Sequence, residues 1–181
     1  MKKIFLSLIV ALFTISCSNE TTTSNGETPS NTTATSLKSV NSTSNWGDYN
    51  ISVSVSTDGS VWTYTITRAL TNAKNLSHFI IDLNNCGGES ATFGDIIGAT
   101  VNGFPADLSP TEGSGTTCNP QATTTNFVKF GSLPAATSWT LVLTLDRGYE
   151  TFTTAKCWLK AGTSCNSGLI PAPGCPKEAR C

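Results

Sequence analysis

Strict alternation of apolar and polar residues limits this chain more than any other feature. Ile51, Val53 and Val55 alternate with Ser52, Ser54 and Ser56, and Trp62, Tyr64 and Ile66 alternate with Thr63, Thr65 and Thr67. Side chains of an extended strand point to opposite faces in turn, so each run puts one face in a core and the other in water. The intervening Thr57-Asp58-Gly59-Ser60 predicts a β-hairpin, because Gly supplies the positive φ that a tight turn requires.

Similar runs follow at 76–83, 95–101, 126–130, 139–145, 149–159 and 166–170, separated by Gly, Pro and Asn clusters. In 139–145, Trp139, Leu141, Leu143 and Leu145 share a face opposite Thr140, Val142 and Thr144. Seven or eight strands, each with one apolar face, are most simply satisfied by two antiparallel sheets packed face to face. The expected fold is therefore all-β, a single sandwich. Charged residues make up only 13% of the chain and Ser and Thr are abundant, which suits strands better than helices. No repeat of 20–50 residues argues for a solenoid or propeller. Residues 105–125 read as a long Gly/Ser/Thr/Pro loop, and 171–181, with three prolines and two cysteines, as a coil held by disulfide. In architecture alone, these runs resemble the Ig-like β-sandwiches of bacterial surfaces.

Seven cysteines divide into Cys17, near the N-terminus, and six others: Cys86, Cys118, Cys157, Cys165, Cys175 and Cys181. An even set in an exported chain reads as disulfides, whereas zinc ligation would call for short paired spacings, and the chain has no CxxC and one histidine. A hairpin centred on Ala161 would set Cys157 opposite Cys165. Cys86 with Cys175 and Cys118 with Cys181 complete the expected set.

Export is indicated by the first seventeen residues: Lys2 and Lys3, an apolar stretch from Ile4 to Ile15 broken by Ser7 and Thr14, then Ser16-Cys17. That stretch is shorter than the roughly 20 residues a membrane-spanning helix needs. Ser16-Cys17 resembles the lipobox of bacterial lipoproteins, with Thr14 standing where that family usually has Leu. The resemblance implies that 1–16 is removed and that Cys17 becomes an acylated N-terminus held in a lipid bilayer. It also implies a location on an outer membrane or the cell surface. Residues 17–45 are rich in Ser, Thr and Asn and poor in large apolar groups, the composition of a tether, and 46–181 would be the folded domain.

The chain carries 11 Lys and Arg against 12 Asp and Glu, and loss of Lys2 and Lys3 leaves 9 against 12. Without a basic run, nucleic acid is an unsuitable partner. Catalysis would have to use His78, the one histidine, together with Asp82, or two converging carboxylates, and the test is whether His78, Asp82, Asp95 and Asp107 share a concavity. Asp82, Asn84, Glu89 and Asp95 are weak candidates for a calcium site, lacking the EF-hand pattern. Trp158, between Lys156 and Lys160, falls on the face opposite Cys157 and Leu159, where either a neighbouring loop covers it or an outward indole flanked by cations would suit a ligand. The expectation is a non-catalytic binding or adhesion module for a glycan or envelope protein, with no cofactor. A hydrolase and a purely structural spacer stand as the alternatives.

Overall fold

The computed structural model describes residues 37–113 and 118–178. Cys17, the lipobox, Cys181 and the tether up to residue 36 lie outside the described residues. Eleven strands follow one another: β1 (Leu37–Trp46), β2 (Tyr49–Ser56), β3 (Val61–Arg68), β4 (Leu76–Asp82), β5 (Ile96–Val101), β6 (Phe104–Pro105), β7 (Asp107–Ser109), β8 (Phe127–Gly131), β9 (Ser138–Leu145), β10 (Tyr149–Ala161) and β11 (Ser164–Pro176). They form two antiparallel sheets, one of six strands in the order β1-β2-β3-β9-β5-β6 and one of five in the order β11-β10-β4-β8-β7. This is the all-β sandwich that the alternation predicts. Its strand count exceeds the seven or nine of immunoglobulin domains, so the likeness to them extends no further than two packed sheets.

The alternating runs supply the core. Trp62, Tyr64, Trp139, Leu141 and Leu143 of the larger sheet face Phe79, Ile81, Val128, Phe130 and Leu159 of the smaller, all fully buried. Tyr64 meets Phe79 across the interface with ring centres 5.7 Å apart and tilted by 57°, a favourable arrangement of aromatic quadrupoles. Burying one such side chain contributes about 1.5–3 kcal/mol. The β2–β3 hairpin turns as expected: Asp58 takes the Ser60 N–H at 3.1 Å, and Gly59 adopts φ 80°. The Trp62 indole N–H then donates to the Gly59 carbonyl at 2.9 Å, tying the turn to the core.

The loop read over 105–125 includes the short strand β7, which its ladder to β8 holds, and three further expectations need correction. The sheet begins at Leu37, inside the segment read as a tether. β1 has few large apolar residues because an edge strand can be held by its backbone ladder to β2. Residues 171–176 are strand, not coil, and continue β11 along β10 as far as Pro176 opposite Tyr149. Proline lacks an N–H, but an edge strand tolerates it wherever that N–H would face away from its neighbour.

The third concerns the cysteines. Cys86 pairs with Cys175 as expected, but Cys118 pairs with Cys165, and Cys157 is a buried thiol. Cys157 and Cys165 do not join because the hairpin turns at Gly162-Thr163, with Ala161 opposite Ser164 and Gly162 at φ 58°. That turn is displaced from the Ala161 centre, so Lys160, not Cys157, faces Cys165. With a period of two, the displacement sends the sulfurs to opposite faces: Cys157 into the core and Cys165 outward.

Candidate functional site

The outer face of the five-stranded sheet gathers the residues that sequence reasoning singled out. On β10, Trp158 lies between Ile80 of β4 and Ser167 of β11, and Lys160 lies between His78 and Cys165. Trp158 points outward as expected, and of its two readings the covered one holds, with 8% of it exposed. It belongs to a small second core with Ile80, Phe127 and Cys118, against which Cys165 packs. The cover comes from residues 118–126, which lead into β8. A short 3-10 turn at Pro120–Ala122 shapes it, and the Cys118–Cys165 bond fastens it across the sheet to β11. At its root, Lys129 Nζ donates to the Glu112 carbonyl at 3.0 Å and lies 3.7 Å from the buried Glu112 carboxylate.

Two open troughs flank β11. One, of about 300 Å³, is lined by Thr123, Lys156, Trp158, Ser167, Gly168 and Leu169. The other, of about 580 Å³, is lined by Trp46, Gly47, Asn166 and neighbouring residues of β11. Together they present an ammonium, hydroxyls, an amide and the rims of two indoles. Lys156 is exposed and Lys160 half-buried. The Trp46 indole lies so close over Gly168 that a Cβ there would fall 2.5 Å from its ring. Trp46, Thr123, Ser167 and Gly168 were not singled out from sequence. The available signals were a tryptophan in an otherwise polar stretch and a glycine inside a strand, which marks close approach of another group.

The acid–base candidates do not converge. His78 and Asp82 are four residues apart on β4, about 13 Å at strand rise, too far for a carboxylate to orient the imidazole. Each acid is engaged locally. Asp82 takes the Asn84 N–H at 2.9 Å, Asp95 takes the Thr92 N–H at 2.7 Å and its hydroxyl at 2.9 Å, and Asp107 takes the Ser132 hydroxyl at 2.9 Å. None of the four lines either trough. Asp82 thus serves a turn and Asp95 a cap, and among the described residues no three His, Cys, Asp or Glu side chains, Glu89 included, come together as metal ligands would. Among the described residues, too, no helix is long and apolar enough to cross a membrane.

The perturbed groups lie away from the troughs, Cys157 and Tyr149 among them. Burial pushes the Cys157 thiol well above its usual range. Burial and then the negative charge of Asp95 raise the Tyr149 phenol to about 12. Comparison with known protein families, with curated proteins and with solved structures found no match.

Proposed function

We propose that the chain is an exported, lipid-anchored binding module that holds a glycan, without catalysis, in the troughs beside β11. The observation that carries this reading is the stapled segment over Trp158. It turns the outer face of the smaller sheet from a flat strand surface into a shaped, disulfide-braced recess lined by Lys156, Thr123, Trp158 and Ser167, and a second trough, lined by Trp46 and Asn166, runs along the other side of β11. Sugar recognition uses such a mixture of hydroxyl, amide and indole rim, and Lys156 favours a glycan carrying an acidic substituent. The lipobox-like Cys17 would hold the module at a bilayer surface.

Acidic and neutral oligosaccharides titrated against the full-length protein test the reading. An acidic glycan should bind with an affinity that falls as salt rises. Lys156→Ala should weaken it by about twofold to fivefold, the worth of one exposed ion pair. Ser167→Trp should block the troughs. Binding that ignores both substitutions would refute the site, and binding only to an envelope protein would replace the glycan. For the anchor, Cys17→Ala should release the protein from membranes, and an intact Met1 to Cys17 segment in the mature protein would exclude it.

A further inference from the structure

The outer face of the six-stranded sheet differs in chemistry from the trough-bearing face. Register aligns its outward side chains in rows across the strands. Ser52 of β2, Thr65 of β3 and Thr140 of β9 form one row. Ser54, Thr63, Val142 and Thr100 of β5 form the next. Asn50, Thr67 and Ser138 extend the array on one side, and Val61, Thr144 and Gly98 on the other. Strands lie about 4.8 Å apart and alternate residues of one strand about 6.8 Å apart, so hydroxyls and methyls repeat at regular intervals over four strands.

Two properties of this array point to a ligand class. No Asp, Glu, Lys or Arg stands at any of these positions, although charged side chains are the usual occupants of a solvated sheet face. The hydroxyls are also uncommitted: among the described residues none of those in the Ser52 and Ser54 rows is hydrogen-bonded to another protein group. Ser52 is exposed, and Thr63, Thr65 and Thr140 are half-exposed. A protein partner of comparable size would bring charged groups onto this surface and desolvate them without counterparts. An uncharged polysaccharide brings only hydroxyls and ring C–H groups, which match hydroxyl and methyl in turn. A water lattice would match the chemistry too, but sheets twist by about 20–25° per strand, and a rigid crystal plane would touch only part of such a surface. A polymer chain follows the twist.

We infer that the outer face of the β2-β3-β9-β5 sheet is a contact surface for an uncharged polysaccharide, separate from the troughs beside β11. Each hydroxyl contact exchanges for one with water and gains little by itself. Adhesion then rests on many contacts along one polymer and on many copies of the protein on one surface.

Sedimentation of the full-length protein with microcrystalline cellulose, amylose and an insoluble neutral β-1,3-glucan tests this. At least one should retain the protein, equally at low and high salt, because no charge takes part. Thr65→Lys and Thr140→Lys, both in the middle of the array, should each weaken retention by about tenfold through burial of an unpaired ammonium. Thr65→Ser should bind as the parent does, and thermal melting will show that all three variants fold. Ser167→Trp, which blocks the troughs, should leave retention unchanged, which separates this surface from the proposed glycan site. The inference is overturned if none of the three polymers retains the protein, if salt releases it, or if both lysine variants bind as the parent does. It is equally overturned if Ser167→Trp abolishes retention, or if the protein partitions into growing ice and not onto polysaccharide.

Discussion

Cys157 shows how one residue can look alike in sequence and differ in structure. It is one of six cysteines that pair plausibly on spacing, yet it sits fully buried between Ile81 and Gly168 in the strand register. Burial that raises its thiol also makes it a poor nucleophile, since the thiolate is the reactive form. A thiol reagent should therefore label Cys157 only after denaturation, and prompt labelling of the folded protein would contradict its position. Cys157→Ala should cost about 1 kcal/mol by leaving a small void, and Cys157→Ser about 1–3 kcal/mol by burying a hydroxyl without a sure partner. Urea unfolding of both variants measures the difference. Gly168 is the second telling position. Gly168→Ala must drive the Trp46 indole off β11, and should destabilise by about 1–3 kcal/mol while altering the near-ultraviolet circular dichroism of the aromatic groups. An unchanged spectrum would mean that the indole does not rest there.

At the scale of elements, the strands with strong alternation were legible and the edges were not. β2, β3 and β9 carry large apolar residues at every second position, so periodicity alone marks them. β1 and the end of β11 are edge strands whose backbone ladders form despite polar residues or prolines, and side-chain pattern says little about such strands. Trp158 was legible in direction, and of its two readings the covered one holds, but facing outward from a sheet does not say which distant segment supplies the cover. That cover depends on the Cys118–Cys165 bond, whose partners are 47 residues apart. Replacing both by serine should lower stability by up to about 4 kcal/mol on the loop-entropy model. It should also uncover Trp158, shifting tryptophan emission to the red and raising its quenching by acrylamide. If stability falls but quenching does not change, the segment stays in place without its staple. The troughs were not legible at all, since they join Trp46 from one sheet, Lys156 and Ser167 from the other, and Thr123 from the loop.

At the scale of the whole molecule, all three tyrosines of the chain, Tyr49, Tyr64 and Tyr149, are held above the usual phenol value, and burial is the largest cause in each. Arg68 opposes the shift at Tyr49, while the negative charge of Asp95 adds to it at Tyr149. In the unfolded chain the phenols ionise near 10, and Tyr149 in the folded protein ionises at about 12. Between those values the unfolded state binds fewer protons than the folded one, so stability must fall as pH rises. The contribution is complete below about pH 10 and is lost as pH climbs through the folded value. A spectrophotometric titration should therefore show little tyrosinate absorbance near pH 10 in the folded protein. At higher pH the absorbance should rise together with loss of the β circular dichroism signal, because Tyr64, enclosed between the sheets, ionises only when they part. The same titration in denaturant should give one ordinary transition near 10 for all three. If the folded protein titrates like the denatured one while keeping its β signal, the tyrosines are not buried between the sheets, and the packing of the sandwich around Tyr64 and Phe79 is wrong.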